Sequence, residues 1–259
     1  MNYENFDITI IGPAFLAGLM VLATHVPLGR EVLRKGIIFI DLSIAQVAGA
    51  GVIAADMLHL HTHGWGVQVA AVSAALAGAL LLAWTEKRFH AVQEAVIGSL
   101  FVLAATGGIL LLANNPHGGE ELKDLLVGQI LWVTLAQLIP VAILYAVVLA
   151  VWFGLRQRLG RMGFYVLFAV TVTASVQLVG IYLVFASLIL PALATKALPD
   201  ARALTIAFAI GAAGYLAGVF LSAIFDLPTG AVIVWSLAAL AIVTATAVRG
   251  LNGRRENEL

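Results

Sequence analysis

Residues 164–198 read FYVLFAVTVTASVQLVGIYLVFASLILPALATKAL, 35 positions with one charged side chain, Lys196. A straight helix of that length would reach about 52 Å at 1.5 Å per residue. The hydrocarbon core of a bilayer is only about 30 Å thick. The stretch is therefore either one span with a protruding end or two short spans folded back near Gln177-Leu178-Val179-Gly180. Outward from it, runs of spanning length fit at Ile8–Leu28, Ile37–Met57, Trp65–Thr85, Glu94–Ala113 and Thr134–Phe153 on one side. On the other side they fit at Ala203–Phe225 and Ala231–Val248.

Charge chooses between the two foldings, because cytoplasmic loops collect Lys and Arg. With the N-terminus outside and residues 164–198 folded into two spans, the inner loops hold 13 of the 14 basic residues; only Lys123 falls outside. With one span there, Lys196, Arg202, Arg249, Arg254 and Arg255 also move outside, and the inner count drops to 8. The sequence thus predicts an all-α polytopic membrane protein with nine spans, eight being the alternative, and an inner C-terminus. Short helices within a bundle are allowed because protein surrounds their ends.

Composition agrees. Of 259 residues, 62% are hydrophobic and 11% charged, against about 25% charged in a soluble domain. That excludes a soluble enzyme, a nucleic-acid binder and a disordered chain; the net charge of zero removes bulk attraction to nucleic acid. With no cysteine, disulfides, thiolate metal sites and cysteine nucleophiles are out. The opening MNYENFD is acidic where a secretory signal is basic, so the first apolar run is expected to stay as a span. No long linker or internal repeat is visible, and residues 1–259 read as one bundle. Runs such as Ala48-Gly49-Ala50-Gly51 and Gly211-Ala212-Ala213-Gly214 let helix backbones approach closely, and packing is their plain reading.

Few polar residues remain. His59, His61 and His63 fall on the outer loop after the second span. Imidazole suits zinc and related divalent ions, and alternate positions of an extended loop face one side, so the three can share an ion; the plainer reading is a polar loop ending a span. His117, Glu120 and Glu121 combine borderline and hard donors on the next outer loop. There the preferred reading is a helix start, since two acids favour a helix N-terminus. Within the spans, ionisable groups are costly and face a cavity or a partner. Asp41 is a candidate cation contact, or a partner for Lys35 six residues earlier, and Gln46 lies on a neighbouring face. Glu94 reads as a structural partner of Lys87 and Arg88, and His25 as a packing residue. The segment Pro191–Arg202, with Thr195, Lys196, Pro199 and Asp200, is a modestly basic inner connection, either a docking protrusion or a plain loop.

Four segments, in order across most of the chain, carry a resemblance: RKGIIFIDLSIAQ (34–46); EAVIG (94–98) with HGGEELKDLLVGQILWV (117–133); VGIYLVFASLILPA (179–192); and DLPTG (226–230). Together they are similar to the membrane-permease subunit of ATP-binding-cassette importers for zinc, manganese or iron. The order also resembles that of the vitamin B12-type importer permease with its first helix removed, which favours a hairpin at 164–198. The resemblance implies a homodimer with the pathway on its two-fold axis, in the bacterial cytoplasmic (inner) membrane. It implies a separate ATPase beneath and a metal-delivering binding protein outside. No resident cofactor is implied; Zn2+, or Mn2+ or Fe2+, is cargo. Residues after Pro191 would match the family's ATPase-coupling segment. In the family, an Asp and a His four residues apart on the second span contact the ion; Asp41 matches the Asp, and Ala45 stands where the His would be, beside Gln46. Zinc is the first choice of cargo, manganese and iron the alternatives.

The chain has no G-x-x-x-x-G-K-[ST] phosphate loop, so it is expected to be a transporter subunit and not an ATPase itself. A secondary ion transporter is the alternative from another class, but it would need more buried acids and usually an inverted repeat.

Overall fold

The computed structural model describes residues 8–58, 65–155 and 157–256; the side chains of Ile8, Trp65 and 249–256 lie outside that description. Among the described residues every regular element is helical. The order is α1 (Ile8–Lys35), α2 (Ile40–Met57), α3 (Trp65–Arg88), α4 (Gln93–Leu112), α5 (Gly118–Val127), α6 (Leu135–Leu155), α7 (Gly160–Val179), α8 (Ile181–Ala194), α9 (Asp200–Phe225) and α10 (Thr229–Glu256). Eight of them are long and apolar enough to cross a bilayer; α8, with 14 residues, is a shorter apolar helix of roughly 21 Å.

The 164–198 stretch is broken, as one of its two readings required. Lys35 at the end of α1 lies 5.2 Å from the centroid of the Phe164 ring, near the start of α7. Arg30, one turn earlier, donates to the carbonyl of Thr195 at the end of α8, 3.3 Å away. So α7 starts and α8 finishes beside the same end of α1, and the chain reverses between them. The break is at Gly180, with φ 81° and ψ 164°, a region essentially reserved for glycine. Gly180 lies directly against Gly128, whose φ is 73°. A Cβ on Gly180 would sit 2.3 Å from the Gly128 nitrogen. Val127, the residue before, closes on a third reversal, since a Cβ on Gly230 would lie 2.4 Å from the Val127 carbonyl oxygen.

That third reversal, the DLPTG segment, has its own chemistry. Asp226 ends α9 in the left-handed region at φ 51°, a conformation that Asp tolerates better than most residues. Leu227 N–H returns to Ser222 O at 3.2 Å, and Pro228 forbids continuation. The Ser222 hydroxyl meets the Thr229 hydroxyl at 2.5 Å, fastening the end of α9 to the start of α10.

Small residues do pack helices. Gly49 faces Leu125 of α5, Gly51 faces Ala70 and Ala74 of α3, Gly211 faces Leu22 of α1, and Gly214 faces Leu237 of α10. The core runs through α1, α2, α7 and α8, with Leu22, Ile44, Phe168 and Leu183 fully enclosed. Most of its hydroxyls are paired, Tyr145 with Ser175 at 2.5 Å and Tyr215 with Ser187 at 2.8 Å, as buried polar groups usually are. Outward faces of α4, α6 and α10 stay apolar and exposed, for example Leu103, Ile143 and Trp235. That is a surface made for lipid or for another apolar protein face.

Among the described residues, several of the basic residues that the sequence placed together do gather at one end, while Arg156 and the side chains of Arg249, Arg254 and Arg255 lie outside the description. Arg161, at the start of α7, pairs with Glu86 near the end of α3 at 3.2 Å. Arg30 and Arg34 of α1 both reach Asp200 at the start of α9. One placement differs from the sequence reading. Pro191 is not at the head of a loop but three residues inside the end of α8, and the connection is only Thr195–Pro199. The ring is tolerated because it lies among apolar helices, and Thr195 Oγ1 closes the last turn by donating to the Pro191 carbonyl at 2.9 Å.

Candidate functional site

The most exceptional group in the bundle is Asp41. It lies in the first turn of α2, with only 1% of its surface exposed. Among the described residues neither carboxylate oxygen has a side-chain partner, and only the N–H groups of Asp41 and Leu42 at the helix start favour its charge. A buried, unpartnered carboxylate is expensive. The one local compensation is its position, because free N–H groups at a helix start favour negative charge. Lys35 does not pair with it, contrary to one of the sequence readings; the ammonium goes to Glu31, 4.0 Å away, and to the Phe164 ring.

The site around Asp41 is built from the α1–α2 turn and the start of α4. Phe39 precedes α2 and brings no capping side chain. Its N–H is satisfied from another helix, donating to Glu94 Oε1 at 3.1 Å. The second oxygen of Glu94 is buried and without a partner, and Glu94 is within electrostatic reach of Asp41. Glu94 therefore serves the turn before Asp41 and not Lys87 or Arg88 as the sequence suggested. Ser43 Oγ, also buried and unpartnered, lies two residues beyond Asp41. Gln46 is buried on the same helix, one position beyond the enclosed Ala45. The donors here are all oxygen or amide. Among the described residues no three His, Cys, Asp or Glu side chains converge to hold an ion.

Other candidates lie apart from this point. His117 and Glu120 form an exposed pair at 3.6 Å. Glu121 turns away to Asn115, whose Nδ2 donates to it at 2.8 Å. The Asn115 side chain also accepts from the His117 N–H at 2.9 Å, shaping the turn into α5. His59, His61 and His63 lie outside the described residues. His25 is fully enclosed in α1, with Nδ1 2.9 Å from the Val21 carbonyl and Nε2 unpartnered. In the α8–α9 connection Thr195 is buried, while Lys196, Pro199, Asp200 and Arg202 are exposed at the basic end.

Sequence reasoning singled out Glu94 but gave it the wrong partners, and it did not consider Ser43. The signal for Glu94 was legible in principle: IFIDL starts a helix with no Ser, Thr, Asp or Asn before it, so the first N–H needs an acceptor from elsewhere.

The profile of the ABC 3 transport family matches residues 7–164 and 150–248, almost the whole length. The chain belongs to the ABC 3 transport family. The resemblance carried by the four sequence segments is thereby borne out. Within reach of this family, the chain is 27% identical over 244 residues to a "Manganese transport system membrane protein MntC" of Halalkalibacterium halodurans, covering 85% of this chain and 81% of that one. It is 28% identical over 182 residues to a "Probable iron transport system membrane protein" of Haemophilus influenzae, covering 62% and 64%. The fold matches a chain of the solved PsaBC–Fab complex from Streptococcus pneumoniae, with TM-score 0.74 and 19% identity over 94% and 95% of the two chains. The ABC 3 match fits the helical, multi-pass architecture above.

Proposed function

We propose that this chain is the permease subunit of an ATP-driven importer of divalent transition-metal ions. The observation that carries the reading is Asp41: a buried carboxylate with no side-chain partner among the described residues. A bundle tolerates such a group where a cation is its intermittent partner. Membership of the ABC 3 family and the transport names of its relatives supply the substrate class.

Two copies pair across a two-fold axis, and the ion passes between them. A binding protein docks on the outer face, where His117, Glu120, Glu121 and the His59–His63 loop gather incoming ions. Asp41, helped by Gln46, holds the partly dehydrated ion loosely enough to let it go. ATP hydrolysis belongs to a separate ATPase beneath the inner face, which engages the connection after Pro191, namely Thr195, Lys196, Pro199, Asp200 and Arg202. Its closure rocks the helices and alternates access. The N-terminus is outside and the C-terminus inside the bacterial inner membrane, with nine passes when α8 counts as one.

Zinc is the first cargo to test, because of the histidine-rich outer loop. The all-oxygen surroundings of Asp41 suit manganese and iron(II) as well, and uptake decides among the three. The test is uptake of radiolabelled zinc, manganese and iron into vesicles holding the permease, its ATPase and the binding protein. Wild type should concentrate at least one ion when ATP is present. Asp41→Ala should assemble normally and lose at least about tenfold of that uptake, the loss of one charge-assisted contact. Uptake unchanged in Asp41→Ala would remove this residue from the pathway.

A further inference from the structure

The two arginines near the end of α1 do more than neutralise an acid. Arg30 and Arg34 are four residues apart and so share one face of α1. Asp200 Oδ1 accepts from both: from Arg30 Nη2 at 2.7 Å and from Arg34 Nη2 in a shorter contact. Arg30 Nη1 also donates to the Thr195 carbonyl, 3.3 Å away. Thr195 is the last cap of α8, and Asp200 is the first residue of α9. One guanidinium therefore grips both ends of the five-residue connection Thr195–Pro199. Both contacts satisfy groups that helix ends leave open: a terminal carbonyl of α8 and an acid at the N-terminus of α9. Arg30 is well sheltered, with 11% of its side chain exposed, while Asp200 is 62% exposed.

The helix behind these arginines is tied to α8 as well. One residue before Arg30, a Cβ on Gly29 would lie 2.0 Å from the Leu188 carbonyl oxygen, so the α1 and α8 backbones touch. Beyond Lys35 the chain turns into Phe39, whose ring stacks parallel on Phe185 of α8 with centroids 6.3 Å apart. Two residues later comes Asp41. The grip on the connection and the turn that carries Asp41 are thus two points on one short piece of chain, both fastened to α8.

We infer that Arg30 and Arg34, gripping Asp200, are positioning residues that pass a displacement of the Thr195–Pro199 connection to the turn carrying Asp41. The inference rests on the proposed docking of the ATPase against that connection. The three elements move as one body because they are joined by charge-assisted bonds and backbone contact. Severing the grip leaves ATP hydrolysis running but disconnects it from the ion's route.

The test is a double-mutant cycle on ions moved per ATP hydrolysed, in vesicles holding the complete complex. Arg30→Met should lower that ratio about threefold or more while ATP turnover continues, and Asp200→Asn, which also lies on the face that the ATPase engages, should lower ions moved per ATP by the same factor whatever it does to turnover itself. The double variant should be no worse than the weaker single, because both remove the same link. Asp200→Glu, which keeps a carboxylate, should retain most of the ratio. Additive losses in the double variant, or an unchanged ratio in both singles, would overturn the inference and leave the transport reading intact. So would losses explained wholly by a smaller folded fraction on gel filtration. A wild-type complex that moves no metal would overturn both.

Discussion

Consider Gly180→Ala. The substitution adds one methyl group where the backbone has φ 81° and ψ 164°. A non-glycine residue in that region costs about 1–3 kcal/mol. The new Cβ would also lie 2.3 Å from the nitrogen and 2.6 Å from the Cα of Gly128. Those are main-chain atoms, and Gly128 is itself held at φ 73°, so neither side yields cheaply. Overpacking of this kind costs about a further 1–3 kcal/mol. The middle of the combined range is about 4 kcal/mol. At about 3 °C per kcal/mol for a chain of this size, the melting point should fall by about 12 °C. The assay is a thermal melt of the detergent-solubilised protein read by size-exclusion recovery. Gly154→Ala is the matched control: it has open space around its Cβ position and no positive φ, and alanine there should hold or raise stability by up to about 1 kcal/mol. A Gly180→Ala protein that melts within about 2 °C of wild type would refute the described reversal of α7 into α8.

Two further expectations follow from the same physics. Asp41→Asn should raise thermal stability by about 1–3 kcal/mol while transport is lost, because it relieves a buried carboxylate with no side-chain partner among the described residues; a drop in melting point would mean that the carboxylate is satisfied in the folded protein. Gly29→Ala should destabilise the bundle by about 1–3 kcal/mol, since the added carbon meets the main-chain oxygen of Leu188, and a melt equal to that of wild type would deny the α1–α8 contact.

Much of the architecture was legible because lipid imposes long apolar runs and a charge bias, and both can be counted along the chain. The fold-back at 164–198 was legible for the same reason: 35 residues are too many for one crossing, and the basic residues balance only if the chain returns. Its turning point was narrowed to Gln177–Gly180 but needed Gly128, a residue 52 positions away, to be fixed. Pro191 was misplaced because proline usually marks a helix boundary, whereas within a membrane bundle it sits comfortably inside one. Asp41 stood out in the sequence as an acid inside a span. Its surroundings did not, because Glu94 comes from another helix and acts on a backbone N–H, and nothing in local spacing reports which distant acceptor a bare helix start will find. The pairing of Arg30 and Arg34 with Asp200 was hidden likewise, since positive residues at a membrane edge are expected whether or not they hold anything.

The junction of Val127 and Gly128 with Gly180 and Gly230 brings the α5–α6 link and the α7–α8 and α9–α10 turns within van der Waals range of one another. The closest approaches there are made by main-chain atoms, with the Val127 side chain beside the one to Gly230. Such a joint owes its tightness to the side chains its glycines lack. It is also crowded to the last atom. The chain can redecorate its greasy rim freely, whereas a single added carbon at this knot would be felt in all three hairpins at once.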